Sequence, residues 1–329
     1  MSHSFNKRIF GIKDDSEFNS LALEIFHLQA NENEVYKNYI NYLKINSLDI
    51  KELKDIPFLP IQFFKSQRVI TGNKEPQTIF TSSGTSGTGT SRHYLTDLSL
   101  YNESFLSSFQ AFYGNPDEFY ILALLPSYLE RSGSSLIFMV NELIKKSQSN
   151  ISGFYLDEHD KLIENLQHLK KKNDRKILLL GVSFALLDMI ENETIDLSNV
   201  IIMETGGMKG RKEEITREEL HKILSKKMNI PAIHSEYGMT ELLSQAYSSG
   251  SGIFQSPPWM RILIRDPYDP FQIFSVGRSG GINIIDLANI NSCAFIETQD
   301  LGKLHGTNQF EVLGRFDRSE IRGCNLLVE

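Results

Sequence analysis

Cysteine is scarce in this sequence: 329 residues hold two, Cys293 and Cys324. Their spacing fits neither a zinc site nor a disulfide framework, so a reducing compartment is expected. No run of about 18 apolar residues occurs, and the chain is expected to have no membrane-spanning helix. The opening Met1-Ser2-His3-Ser4-Phe5-Asn6-Lys7 lacks the apolar core of a signal peptide. Together these features predict a cytoplasmic protein. Positive charge is also short, the formal net charge being −7. Neutralising phosphates along a nucleic acid needs a basic surface, so no nucleic-acid partner is expected. The run Lys170-Lys171-Lys172 reads as a solvated helix end. Internal repeats and low-complexity segments are lacking as well.

What is present is ordinary for a globular protein: 40% hydrophobic and 23% charged residues, with length for roughly two domains. Apolar spacing predicts helices near the start, one through Phe18, Leu21, Leu23, Ile25 and Phe26 and another through Val35, Tyr36, Tyr39, Ile40 and Leu43. Pro57 and Pro60 break that pattern. Buried strands are expected over 119–125, 176–180 and 200–203, and helices over 134–144, 161–169 and 213–228. Alternation of this kind predicts a parallel α/β sheet. Beyond Gly252 the sequence predicts short strands over 261–264, 282–285, 294–297 and 309–313. The expected organisation is therefore a helical region over 1–75, an α/β core over 76–250 and a β-rich subdomain over 251–329.

Four stretches carry chemistry. The first, Thr81-Ser82-Ser83-Gly84-Thr85-Ser86-Gly87-Thr88-Gly89-Thr90-Ser91-Arg92, follows the apolar strand Thr78-Ile79-Phe80. Its glycines let backbone N–H groups turn toward an anion, and its hydroxyls add donors. The same composition also suits a flexible linker. It has no Gly-Lys-Ser/Thr end and is not a Walker A loop. The second is His234-Ser235-Glu236-Tyr237-Gly238-Met239-Thr240-Glu241. Here Tyr237 offers a flat face to a base, Thr240 a hydroxyl to a phosphate, and Glu241 a hard oxygen to Mg²⁺. A plain strand-ending turn is the alternative. The third and fourth are Thr298-Gln299-Asp300-Leu301-Gly302 and Gly314-Arg315-Phe316-Asp317-Arg318-Ser319-Glu320-Ile321-Arg322-Gly323. Asp300 and Arg315 there suit ribose hydroxyls or serve as turn and surface charges.

In this order the four stretches resemble the adenylate-forming superfamily of acyl-CoA synthetases, luciferases and peptide-synthetase adenylation domains. Tyr237-Gly238-Met239-Thr240-Glu241 is similar to its Tyr-Gly-x-Thr-Glu motif, and Glu204-Thr205-Gly206-Gly207 to the turn that lines the adenine. Gly314-Arg315-Phe316-Asp317 with Ile321-Arg322-Gly323 resembles its hinge. The resemblance runs from about Thr78 to Gly323. It implies ATP bound by Ser82, Ser83, Gly84, Thr85, Ser86, Gly87, Thr88, Gly206, Gly207, Tyr237, Gly238, Thr240, Asp300 and Arg315, with Mg²⁺ on Glu241. It also implies the large-domain fold of that superfamily, a parallel α/β core with a smaller β-rich C-terminal subdomain.

Within the superfamily, Leu125-Pro126-Ser127-Tyr128-Leu129-Glu130-Arg131-Ser132-Gly133-Ser134-Ser135-Leu136 and the ending Ile321-Arg322-Gly323-Cys324-Asn325-Leu326 resemble acyl-protein synthetases of the LuxE type. That likeness implies adenylation of a fatty or other carboxylic acid. Acyl transfer to Cys324 would follow, then transfer to a partner protein akin to an acyl-CoA reductase. Only six residues follow Gly323, so the usual small C-terminal domain and its catalytic lysine are expected to be lacking. Arg92, Lys209 and Arg211 are candidates to replace that lysine. Arg92 stands where the family's loop ends in lysine, and it differs from lysine in reach. Two rival readings are a CoA ligase similar to phenylacetate-CoA ligases and a non-catalytic nucleotide-binding subunit of a reductase complex. His234 is expected to line the acyl pocket or to end a strand. His93 reads as structural, Cys293 as a buried inert thiol, and Phe58, Phe63 and Phe64 as core.

Overall fold

The apolar run Phe119-Tyr120-Ile121-Leu122-Ala123-Leu124 is buried at every position, as a strand covered on both faces must be. In the computed structural model this strand belongs to the sheet of one of two units. The structure describes residues 2–82, 89–126, 133–156, 158–191, 194–206 and 215–316. One unit joins residues up to Asn73 with those from Pro258 onward; the other is Lys74–Pro257.

Unit 1 begins with helices α1 (Ser2–Phe10), α2 (Asp15–Glu32) and α3 (Glu34–Tyr42), the short strand β1 (Leu59–Pro60) and helix α4 (Phe63–Ser66). The side chains of Asp14 and Asn33 cap α2 and α3 by accepting from backbone N–H groups. Unit 2 continues with β2 (Thr78–Thr81), β3 (Arg92–Leu95), α5 (Leu98–Tyr113), β4 (Phe119–Leu124), α6 (Ser135–Ser147) and β5 (Gly153–Phe154). It then runs through α7 (His159–Lys172), β6 (Lys176–Val182), α8 (Ser183–Met189), β7 (Val200–Thr205), α9 (Arg217–Met228), β8 (His234–Tyr237), β9 (Ala246–Ser248) and β10 (Ile253–Gln255). Back in unit 1 lie β11 (Met260–Arg265), β12 (Ser279–Asp286), β13 (Phe295–Leu304) and β14 (Gln309–Arg315).

The sheet of unit 2 is mixed. Strands β5, β4, β6, β7 and β8 are parallel neighbours in that order, and β9 and β10 continue antiparallel. Strands β2 and β3 form a separate hairpin. In unit 1, β11 to β14 are sequential antiparallel neighbours, and β1 adds to β13 in parallel.

The helical start is tied to this second sheet. Gln29 donates to the carbonyls of Asn289 and Ile290 and accepts from Ala294 N–H. The ring of Tyr36 stacks on Phe295, and its hydroxyl donates to Pro57 O. A helix with one apolar stripe must bury it somewhere, and α2 buries Phe18, Leu21, Ile25 and Phe26. Phe58 and Phe64 are core, while Phe63 is half-buried. A 3₁₀ segment, Leu287–Asn291, lies in the part of the sequence read as free of helix; Asp286 caps it by accepting from Ala288 N–H.

Candidate functional site

In unit 2, the Thr/Ser/Gly stretch joins the two strands of the β2–β3 hairpin, where Thr81 pairs with Arg92. Its base is fastened twice: Ser82 N–H donates to Ser91 O at 3.1 Å and Ser91 N–H to Ser82 Oγ at 3.0 Å. Gly133 closes on the same point, its carbonyl accepting from Thr81 N–H at 2.8 Å. A methyl group there would come 2.9 Å from Thr81 Oγ1, and Gly133 has φ +92°, so only glycine fits. Ser82 lies within the described part of the candidate phosphate loop; Ser83, Gly84, Thr85, Ser86, Gly87 and Thr88 lie outside the described residues, as do Gly207, Lys209, Arg211 and Cys324. Arg92 is exposed.

His93, one residue beyond Arg92, is buried, and its Nδ1 lies 2.9 Å from Thr240 O. A carbonyl accepts, so Nδ1 carries the proton. Burial pushes the imidazole down to about 4, and it is neutral at pH 7. This bond ties the exit of the Thr/Ser/Gly loop to the Tyr237–Glu241 segment. That segment leaves β8 and runs on to β9 without forming a helix; Leu242 N–H donates to Met239 O and closes a turn. Tyr237 is buried with its ring 5.8 Å from Phe254, and Arg217 lies over Phe254. A methyl group on Gly238 would come 2.4 Å from Glu236 Oε1, so a side chain here would have to displace that carboxylate. Thr240 is half-buried and Glu241 buried.

Acidic groups end the neighbouring strands. Glu204, at the end of β7, is buried beside Arg217 at 3.3 Å and His221 at 3.5 Å, and accepts from Ser183 Oγ. Ser183 also donates to Gly206 O at 2.8 Å, and Gly206 turns with φ +71°. Glu236, half-buried in β8, accepts from Thr205 Oγ1. Desolvation pushes its carboxyl up to about 7; the Thr205 bond opposes this and Glu204 adds to it. The sequence by itself marks no role for Glu236. The available signal was an acidic residue on an alternating strand, which is marked only once burial is known. His234 opens β8 rather than closing it, is half-buried, and meets Tyr113 Oη through Nδ1 at 3.1 Å.

In unit 1, Asp300 lies inside β13 rather than in a turn, directly opposite Arg315 of β14. Their side chains pair at 3.2 Å, Asp300 being 11% and Arg315 73% exposed. Asp300 is positioned from behind. Its N–H donates to Thr298 Oγ1, and Thr298 Oγ1 donates to Ile282 O. Buried Arg265 donates to Ile282 O, Asn283 Oδ1 and Thr298 O and stands 3.6 Å from Glu297. Phe316, next to Arg315, places its ring under the Arg265 guanidinium. Arg265 went unnoticed in the sequence. Its one signal is Gly280-Gly281 on the partner strand: a methyl on Gly281 would come 2.5 Å from Arg265 Cζ. Cys293 is buried, its thiol pushed up to about 12 by burial.

Among the described residues no cluster of three His, Cys, Asp or Glu side chains is placed to hold a metal ion, and no helix is long and apolar enough to cross a membrane.

No protein-family model matches the chain, and no curated protein matches it in sequence. Solved structures do match. The ATP-bound MatB from Rhodopseudomonas palustris aligns over 72% of this chain and 47% of its own length, with 16% identity and a TM-score of 0.53. The present chain thus spans about half of that protein. A 2-hydroxyisobutyryl-CoA ligase in complex with 2-HIB-AMP and CoA aligns over 92% of this chain and 68% of its own, with 11% identity and a TM-score of 0.67. The same ligase in an open conformation gives 92%, 70%, 10% and 0.64 in the same order. The chain therefore has the α/β fold with a mixed sheet found in the large domain of adenylate-forming enzymes.

Proposed function

We propose that this protein activates a carboxylic acid, a fatty acid among the candidates, as its acyl adenylate at the expense of ATP. The observation that carries this reading is the His93–Thr240 hydrogen bond. It sets the base of a loop rich in hydroxyl and amide donors beside a segment supplying Thr240 and Glu241. Donors preorganised around phosphate oxygens are what such a transfer needs, since charge gathers there in the transition state. A carboxylate oxygen attacks the α-phosphorus of ATP, the bond to the bridging oxygen breaks, and pyrophosphate leaves. Thr240 and the loop hydroxyls, Ser82 to Thr88, hold phosphate oxygens, with Arg92 as the supporting cation. Tyr237, Gly206 and Gly207 face the adenine, and Asp300 with Arg315 holds the ribose. Mg²⁺, when bound through Glu241, would offset phosphate charge.

The finer reading is of the acyl-protein synthetase type. The Cys324 thiolate attacks the acyl carbon, AMP leaves, and the thioester passes the acyl group to a reductase-like partner. Transfer to CoA is the second reading; its support is the likeness to a ligase solved with CoA. A non-catalytic nucleotide-binding subunit is the third. Mg²⁺-dependent ATP–pyrophosphate exchange, run with a panel of carboxylic acids, separates the catalytic readings from the last. Exchange is expected in the native protein and is expected to vanish in Glu241→Ala, with circular dichroism unchanged. Exchange with no acid at all would defeat the proposal.

A further inference from the structure

Strand β8 is exposed alternately, with His234 and Glu236 half-buried and Ser235 and Tyr237 buried. Alternation along a strand puts His234 and Glu236 on one face. Glu236 is the register partner of Thr205 on β7 and of Tyr247 on β9, so Thr205, Glu236 and Tyr247 form a row across three strands. Helix α5 covers this face. Tyr113 meets His234 through its hydroxyl and Tyr247 edge-on at 5.3 Å, Phe112 packs on Tyr247, and Ser104 bonds Ser244. The row lies at the carboxyl ends of parallel strands, where open α/β sheets place their ligands.

The polar groups here exceed what the protein satisfies. Glu236 uses one oxygen on Thr205; the other lies against Gly238, whose backbone is exposed. The Tyr113–His234 bond leaves Nε2 of His234 with no partner among the described residues. Ser108, one turn from both Ser104 and Phe112 on the same helix face, is fully buried, and its Oγ has no partner among the described residues. The Oε1 of Gln245, beside Gly238, is likewise buried and unsatisfied. Buried polar groups are normally paired, and an alkyl chain laid over this face would leave each of them desolvated without a bond.

We propose that this face of unit 2 receives the acid and reads a hydroxyl group on it through Glu236 and the Tyr113–His234 pair, so that the substrate is a hydroxyl-bearing carboxylic acid rather than a plain alkyl acid. A hydroxyl donates and accepts, and Glu236 can do either, because burial leaves its carboxyl close to half-protonated near neutrality. The proposal rests on the adenylation reading for its chemistry and not for its binding site.

The test pairs hexanoate with its hydroxylated derivatives and benzoate with the hydroxybenzoates. Each acid is measured by calorimetric binding and by ATP–pyrophosphate exchange, in the native protein, Glu236→Leu and Tyr113→Phe. The hydroxylated member of at least one pair is expected to win by about tenfold or more in both measurements, the range of a hydrogen bond whose loss strands a buried partner. That margin is expected to shrink severalfold in each variant. Tyr113→Phe keeps the ring and the packing on Tyr247, so it reports even where Glu236→Leu folds poorly. Selective binding of hydroxy acids without exchange would defeat adenylation and leave this site standing. Exchange with plain acids as efficient as with hydroxy acids would overturn this inference and leave adenylation intact. So would a margin that survives both substitutions.

Discussion

Asp300 and Arg315 make an ion pair of unequal partners, the acid enclosed and the base in water. An exposed pair contributes little to stability, so the value of Asp300 is in presenting a fixed carboxylate. Asp300→Ala is expected to weaken binding of an ATP analogue about 10- to 150-fold, the equivalent of roughly 1.5–3 kcal/mol for a charged hydrogen bond. Calorimetry should show acid binding unchanged. A loss confined to the acid would remove Asp300 from the nucleotide's side of the chemistry. Glu236 makes a different kind of prediction. Its folded-state value is about 7 against an ordinary 4.5, so the folded protein binds this proton more tightly than the unfolded chain does. The group's contribution therefore worsens as pH rises from about 4.5 to about 7 and is fully unfavourable above that. The charged groups that bear on it are Glu204 on β7 and, should they ionise, Tyr101 and Tyr113 on α5 and Tyr247 on β9. Glu236→Gln is expected to gain stability over the native protein between pH 5 and pH 8, by on the order of 2 kcal/mol given partial exposure. Urea midpoints at the two pH values measure it, and a constant difference would show the carboxyl to be ordinary.

At the scale of elements, β12 and β13 are held together partly by Arg265, which reaches across Gly281. Gly281→Ala would push the guanidinium off Thr298 O and Asn283 Oδ1. Overpacking of this sort costs about 1–3 kcal/mol, and the denaturation midpoint should fall accordingly. Affinity for an ATP analogue is expected to fall with it, because Thr298 positions Asp300; native affinity in a destabilised Gly281→Ala would separate Arg265 from the Asp300 support. Elements of this chain were unevenly legible in its sequence. The runs of β4, β6 and β7 stand out because strands covered on both faces are apolar throughout, and the helices between them carry an apolar stripe. Strand β13 largely alternates buried and half-buried positions over ten residues, yet in the sequence Asp300 within it suits a turn as well as a ribose contact, because an acidic residue two before a glycine mimics turn composition. Of the candidate site, Thr240, Glu241, Asp300 and Arg315 were visible as motif residues. His93, Glu236 and Arg265 acquire meaning only from neighbours far away in sequence, which no local pattern encodes.

For the molecule as a whole, the sequence offers two thiols, Cys293 and Cys324. Cys293 is buried and held protonated to about pH 12, which makes it a poor nucleophile. With labelled acid and ATP, a hydroxylamine-labile acyl group is expected on the native protein. It should be lost in Cys324→Ser, which retains pyrophosphate exchange. Label that persists there and disappears in Cys293→Ser would reverse the assignment of the thiols. The wider architecture carries a consequence for how the protein is made. Unit 1 is assembled from both sides of an interposed segment, Lys74–Pro257. As the ribosome releases the chain, α2 and α3 emerge with Phe26 and Tyr36 bare, and the strand whose Phe295 packs on both rings is not yet synthesised. At about 5–20 residues per second that interval is on the order of 13 to 50 s. Through it the nascent protein carries an uncovered aromatic surface, and its yield in a cell depends on what shields those helices until β13 is synthesised.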